Sequence, residues 1–118
     1  MGTFKCQLGV SNGNGGPIEW VEALVDTGAT FTMLPTSLLR RIGVPQRETR
    51  RRFRMADGES REMPITVADL HILEDVLPVV VAEGPEETYL LGATSLQMFG
   101  LIADTTNHRL VPDTDLTL

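Results

Sequence analysis

The sequence predicts an all-β fold, barrel-like or sandwich-like, that carries two short helices. Short apolar runs alternate with turn signals rich in Gly, Asn and Asp, and only two segments have the flanking residues of helices. Hydrophobic residues make up 42% of the chain and aromatic residues 5%, so we expect an aliphatic core. A length of 118 residues fits one domain, which we place over residues 1–118.

Strands are predicted wherever apolar residues alternate or cluster between turn signals. The predicted strands span residues 4–10, 18–25, 31–34, 50–56, 60–72, 76–82, 89–91, 101–103 and 109–111. The Asn- and Gly-rich residues 11–16 join the first pair as a hairpin, and Asp57-Gly58 joins the fourth and fifth strands in the same way. The β-branched run at 76–82 is expected to be buried on both faces.

Two short helices are predicted between these strands. The first covers residues 35–42, because Pro favours a first helical turn and Gly43 provides a stop. The second covers residues 94–99, with Thr94 as its N-cap and Gly100 as its stop. Residues 113–118 are expected to form a loose tail or an intersubunit strand.

Charge and cysteine content limit the possible functions. The net charge of −6 argues against a protein that coats nucleic acid, so we expect no nucleic-acid partner. Cys6 is the single cysteine, which excludes an intrachain disulfide and favours a reducing, cytoplasmic location.

The two histidines are far apart with no cysteine nearby, so we expect no metal and no cofactor. The N-terminus has no apolar run of signal-peptide length, and no stretch is long enough for a membrane span.

The segment Asp26-Thr27-Gly28-Ala29 carries the strongest chemical signal. Asp26 ends an apolar strand, the Thr27 hydroxyl can fix the loop, and Gly28 lets backbone N–H groups approach the carboxylate. These are the parts of a carboxylate held for acid–base catalysis. The alternative interpretation is an Asx turn that ends a strand and does no catalysis.

A short internal similarity supports a paired arrangement. Leu24–Thr30 and Leu90–Thr94 each run from an apolar strand into Gly-Ala-Thr, and a short helix ending in glycine lies downstream of each. We expect the two turns to face each other within the domain.

The chain resembles the retropepsin-like branch of the pepsin-type aspartic proteases. The resemblance covers roughly residues 21–111 and rests on motifs in the expected order. These are Asp26-Thr27-Gly28-Ala29, then Thr32 with Met33-Leu34, then Asp57-Gly58, then Leu90-Leu91-Gly92 and the short helix before Gly100. Viral members usually have Asp or Ser where this chain has Thr30, and Arg where it has Ala93. The chain therefore looks more like cellular, bacterial-type members.

This resemblance implies a single-lobe closed barrel that dimerises to form its active site. The chemistry needs two carboxylates that share a proton, and this chain has one Asp-Thr-Gly, so each subunit of a homodimer would supply Asp26. Thr27 would reach the opposing loop, while Gly28 and Ala29 would bind substrate backbone. The hairpin around Asp57 and Gly58, with Met55 and Ala56, would be a flap that closes over an extended peptide.

Two other functions remain open. One is a catalytically silent module of this fold that binds peptides or only dimerises. The other is an adaptor that uses the basic cluster, since eight of the ten Lys and Arg residues lie between Arg40 and Arg61. The central part of this basic cluster, Arg47 to Arg54, has three interpretations. It is a solvated strand face, a positive rim that favours acidic residues in a substrate, or a nucleic-acid patch, which the overall charge disfavours.

Overall fold

Strands make up most of the regular structure, as the apolar pattern predicts. The computed structural model describes residues 3–116. In chain order its elements are β1 (Phe4–Ser11), β2 (Glu19–Val25), β3 (Thr32–Pro35), α1 (Thr36–Arg41), β4 (Arg50–Arg54), β5 (Ser60–Ile72), β6 (Asp75–Gly84), β7 (Leu90–Leu91), α2 (Ala93–Met98), β8 (Leu101–Asp104) and β9 (Arg109–Pro112). Residues 113–116 form neither helix nor strand, and residues 117–118 lie outside the described part.

Six strands close into a barrel in the order β1-β2-β7-β3-β6-β5, which confirms the predicted all-β closed barrel. The barrel closes because β1 pairs with both β2 and the end of β5, where Gly9 lies opposite His71. The pairs β2–β7 and β3–β6 are parallel, and the other pairs in the barrel are antiparallel. β4 continues the sheet beyond the barrel by pairing with the first residues of β5.

Aliphatic side chains fill the barrel, because alternate residues of each strand point inward. The largest fully buried side chains include Leu8, Leu34, Leu70, Ile72 and Leu91. Helix α1 adds Leu38 and Leu39 to this core, and α2 adds Leu96. Truncating one such leucine to alanine typically costs about 2–5 kcal/mol of stability. Among the described residues, no helix is long and apolar enough to cross a membrane.

Strands β8 and β9 form a separate two-stranded sheet. The Asn107 side chain donates to the Asp104 carboxylate in their turn and lowers the pKa of that carboxyl. The sheet contacts the barrel where the rings of Phe4 and His108 stack with centroids 5.9 Å apart. Its Ile102 side chain is 47% exposed, so an apolar group faces solvent on this sheet.

A buried ion pair ties α1 to β6. The guanidinium of Arg40 donates to the carboxylate of Glu83, whose side chain is only 1% exposed. Arg40 also donates to the main-chain oxygen of Val44, just after the helix. This pair fixes the orientation of the helix on the barrel wall.

Two expectations about these elements are corrected, the first of them in part. The first half of β6 is buried on one face only, because it lies in a barrel wall: Val79 is buried, whereas Val76 and Val80 are 48% and 43% exposed. Both faces are buried towards the end of the strand, where Val81 faces the core and Ala82 packs in a second cluster. Thr94 is not an N-cap, since α2 starts at Ala93 and no side chain caps it. Backbone carbonyls of the loop before β3 accept the first N–H groups of this helix instead.

Candidate functional site

The loop that follows β2 fixes the carboxylate of Asp26. The N–H of Gly28 donates to Asp26 Oδ1 at 2.9 Å, and the N–H of Ala29 donates to the main-chain oxygen of Asp26 at 3.1 Å. Asp26 is half-buried, while Thr27 and Gly28 are exposed. Within residues 3–116, Asp26 Oδ2 accepts no hydrogen bond from the protein. One carboxylate oxygen is therefore held by the backbone while the other is available to a ligand.

The second Gly-Ala-Thr segment lies directly beside this loop. Strands β2 and β7 pair in parallel and bring the two similar segments together. Three backbone hydrogen bonds then join the segments: Asp26 N–H to Leu91 O at 3.0 Å, Ala93 N–H to Ala29 O at 2.7 Å, and Thr94 N–H to Thr30 O at 3.1 Å. The internal similarity in the sequence thus corresponds to two segments that support each other's backbone.

A buried polar contact secures the same junction. The Thr32 and Ser95 hydroxyl oxygens lie 2.6 Å apart, and the N–H of Gly92 donates to Thr32 Oγ1 at 3.1 Å. Gly92 is packed so closely that a Cβ at this position would lie 2.4 Å from the main-chain oxygen of Phe31. Only glycine fits there, because this distance is shorter than any normal contact between those atoms.

A cavity of about 620 Å³ opens where β2 and β7 lie side by side. Leu24 and Leu90, register partners on these strands, both line it. Leu24 precedes Asp26 by two residues on extended chain, which places the two side chains on the same side of the strand. The other lining residues are Lys5, Val21, Glu22, Glu87, Thr88 and Tyr89. A volume of this size suits a peptide side chain or a small ligand.

The β4–β5 hairpin turns at Met55–Glu59. The N–H of Met55 donates to Glu59 O at 2.7 Å, and the N–H of Glu59 donates to Asp57 Oδ1 at 2.9 Å. Gly58 has a φ of +86°, a conformation that favours glycine. Ala56, Asp57 and Gly58 are exposed, whereas Met55 is half-buried. The Asp-Gly hairpin is thus confirmed, and its tip is available for contact.

A small apolar cluster connects this hairpin with the rest of the site. Its members are Met33, Met63 and Ala82, with Phe53, Met55 and Leu90 packed against them. The Phe53 ring also meets the Phe31 ring edge to face, with centroids 5.1 Å apart. Because Leu90 also lines the cavity beside Asp26, the hairpin and the cavity share one packing unit.

Comparison with known families identifies the chain. The family model described as "gag-polyprotein putative aspartyl protease" matches residues 14–98, most of the sequence. The chain belongs to this retropepsin-like aspartyl protease family. Among curated proteins no relative matches it. Membership supports a protease-like function for the domain.

The structure places the predicted site residues in two groups. Asp26, Thr27, Gly28 and Ala29 form the loop after β2, and Met55, Ala56, Asp57 and Gly58 form the hairpin turn. Among the described residues no hydrogen bond joins the two groups; Met55 approaches the site through the apolar cluster. No sequence motif predicted a role at the site for Leu24, Lys5, Tyr89 or Ser95. The one signal for Ser95 was its position after the repeated Gly-Ala-Thr.

The histidine on β5 and the single cysteine of the retropepsin-like domain have surroundings of their own. Within residues 3–116, no group of three or more His, Cys, Asp or Glu side chains could hold a metal ion. His71 Nε2 lies 2.8 Å from Ser11 Oγ where β5 meets β1, in a structural contact. Cys6 is half-buried on β1, and burial raises the pKa of its thiol to about 11. A thiol that stays protonated in this way is a poor nucleophile near neutral pH.

Proposed function

We propose that the chain is an aspartic endopeptidase that acts as a homodimer on extended peptides. The observation that carries this proposal is the geometry around Asp26. Its carboxylate has one oxygen held by the Gly28 N–H, and Asp26 directly follows β2, whose Leu24 lines a cavity together with Leu90. Membership of the family supports the protease-like part of the proposal, and the homodimer and the catalytic details are our inference.

The need for two carboxylates is the argument for a dimer. Asp-Thr-Gly occurs once in the sequence, and we treat the chain as one domain, so the second carboxylate must come from a second copy. The β8–β9 sheet offers a surface for this contact. A two-stranded sheet is marginally stable by itself, and this one exposes Ile102 and free strand edges. Pairing of two such sheets across a two-fold axis would cover the Ile102 side chain and the free strand edges of each sheet.

The chemistry follows from two carboxylates that cannot both ionise when they are in contact. The ionised Asp26 takes a proton from a water molecule, which attacks the carbonyl carbon of the scissile peptide bond. The protonated Asp26 of the second subunit donates a hydrogen bond to the carbonyl oxygen and polarises it. Proton transfer to the leaving nitrogen then breaks the C–N bond, and no covalent enzyme intermediate forms.

Backbone hydrogen bonding would hold the peptide. Gly28 and Ala29 would bind the main chain of the peptide on the side of the Asp26 loop. The peptide would add as a strand to the flap on its other side, along Met55, Ala56, Asp57 and Gly58. In the cavity near Asp26, Leu24 and Leu90 would contact the apolar part of a substrate side chain, and Lys5, Glu22 and Glu87 would meet a polar end. By resemblance, Thr27 would contact the opposing loop and fix the two carboxylates relative to each other.

A peptide-library digest read by mass spectrometry tests the proposal. Wild type and Asp26→Asn are compared across the acidic-to-neutral range where a shared proton is expected. Asp113→Asn is the matched control, because Asp113 Oδ1 also accepts the N–H of the residue two positions on, at 3.1 Å. Asparagine preserves this bond, so both variants should fold. We expect cleavage by wild type and Asp113→Asn and none by Asp26→Asn.

The silent-module alternative has one structural argument in its favour. Asp26, Asp57 and Asp113 all accept a backbone N–H from two residues ahead, so this turn by itself does not require catalysis. A folded, dimeric wild type that binds peptides and cleaves none of them would replace the endopeptidase with this alternative. Equal cleavage by wild type and Asp26→Asn would also contradict our proposal.

A further inference from the structure

A second cavity, separate from the candidate active site, lies on the outer side of the barrel. Its volume is about 500 Å³, which is within the range of ligand-binding pockets. Its lining includes Phe31, Arg51, Val67, Val80 and Met98. None of these residues lines the cavity beside Asp26, and none belongs to the loop at 26–29 or the turn at 55–58.

The lining of this outer cavity is mainly apolar, and part of it faces solvent. Val80 on β6 is 43% exposed and Met98 on α2 is 49% exposed. Val67 and Val80 are register partners on β5 and β6, so their side chains lie next to each other on the outer face. Met98 is flexible and can adapt to the shape of a bound group. An exposed apolar hollow of this kind is typical of an interaction site.

Positive charge borders the hollow on one side. Arg51 on β4 lines it and uses one N–H group to bond the main-chain oxygen of Arg50. Its remaining N–H groups can meet a ligand. Within residues 3–116, Arg51 forms no ion pair, and the same holds for Arg47, Arg52, Arg54 and Arg61. These charges are concentrated on and around β4 in a chain whose net charge is −6.

We propose that the outer cavity binds a peptide segment in which a large apolar side chain lies next to aspartate or glutamate. The apolar side chain would enter between β5, β6 and α2, and the neighbouring carboxylate would pair with the Arg51 guanidinium. A nucleic acid fits less well, because the lining has one aromatic ring, Phe31, rather than a series of rings for base stacking. This inference does not depend on catalysis, since it concerns another surface.

The outer cavity is also connected to the flap. Phe31 lines the cavity and packs against Phe53, and Phe53 contacts the apolar cluster that holds Met55. A peptide docked in the cavity would therefore lie one side chain away from the packing of the flap. In a protease, such a site would recruit substrates by a segment away from the cleaved bond.

Binding is measured by fluorescence polarisation with a short labelled peptide that has a central leucine between aspartates. The protein carries Asp26→Asn, so that the peptide stays intact and loss of catalysis cannot affect the result. Two matched pairs of variants are compared. Arg51→Glu is matched by Arg52→Glu, the next residue on the opposite face of β4. Val80→Asp is matched by Val76→Asp, a similarly exposed valine of β6 outside the cavity.

We expect Arg51→Glu and Val80→Asp each to weaken binding by at least about tenfold, and both controls to change it by less than about twofold. Replacing the peptide's leucine by asparagine, or its aspartates by asparagines, should have effects like those of the two cavity variants. If Arg51→Glu and Arg52→Glu lose peptide affinity equally, binding depends only on general charge attraction, and the proposal is overturned. Failure of the Asp26→Asn protein without further substitutions to bind the peptide, or tighter binding of a single-stranded oligonucleotide to the same residues, would overturn it too.

Discussion

The hydroxyl oxygens of Thr32 and Ser95 lie 2.6 Å apart, in the buried junction between β3 and α2. Thr32 also accepts the N–H of Gly92, so one side chain of β3 bonds two residues of the segment that lies beside the Asp26 loop. Each polar atom in this junction has lost its contact with water and depends on its protein partner. The position of the Asp26 loop therefore depends on a contact between residues far apart in the sequence.

Thr32→Val should destabilise the fold by about 1–3 kcal/mol, because valine keeps the shape but leaves the Gly92 N–H and the Ser95 hydroxyl without their partner. Urea unfolding of the purified protein measures the change. Thr36→Val is the control, since the Thr36 hydroxyl is exposed and bonds Gly84 O only at 3.5 Å. Equal stability of the two variants would show that the buried contact contributes little.

Gly92→Ala should cost about 3 kcal/mol or more, because the new Cβ would meet the main-chain oxygen of Phe31 at 2.4 Å and backbone cannot move aside easily. Gly84→Ala is the comparison. Its Cβ would be 2.6 Å from Met33 Sδ, the far part of a flexible side chain that can rotate away. Thermal unfolding should show a much larger loss of stability for Gly92→Ala than for Gly84→Ala. The opposite ranking would mean that the junction is loosely packed.

Cys6 gives a prediction about pH. Burial raises the pKa of its thiol from 9.0 to about 11, so the folded state favours the neutral thiol. The resulting stabilisation is complete below pH 9 and is lost as the pH rises towards 11. Iodoacetamide should label the native protein more slowly than the urea-unfolded protein at pH 9.

Cys6→Ala should remove the Cys6 part of the stability loss at alkaline pH, which unfolding at several pH values would measure. Equal labelling rates in the native and unfolded protein would contradict the raised pKa.

Ile102→Lys should weaken dimerisation, because it places a charge on the exposed apolar face of the β8–β9 sheet. Sedimentation velocity over a dilution series measures the change, and peptide cleavage should fall in parallel at low protein concentration. Leu73→Lys is the control, since Leu73 is 65% exposed in the turn after β5. A dimer that survives Ile102→Lys unchanged would place the interface elsewhere.

The sequence predicted the features that depend on neighbouring residues. Period-two alternation located the strands, and Asp57-Gly58 located the hairpin because its turn geometry requires a glycine. The loop at Asp26 could be found because its hydrogen bonds join neighbouring residues, Asp26 with Gly28 and Ala29. The internal similarity also predicted that the two Gly-Ala-Thr segments meet, but other contacts between distant segments were missed.

Arg40 is an example of such a feature. It was counted in the basic cluster, yet it pairs with the buried Glu83 on β6. Thr94 was expected to cap its helix through its own side chain. The carbonyls that accept the first helical N–H groups come instead from Ala29 and Thr30, more than sixty positions earlier.

The length of β5 affects how the β4–β5 hairpin is joined to the barrel. It is a single strand of 13 residues, whose first part pairs with β4 and whose later part is a wall of the barrel. One arm of the hairpin is therefore an extension of the barrel itself. Pro64 stands near the point where the partner changes, and proline donates no ladder hydrogen bond. If the hairpin opens, we expect β5 to bend near Pro64, where the strand offers one N–H group fewer to the ladder.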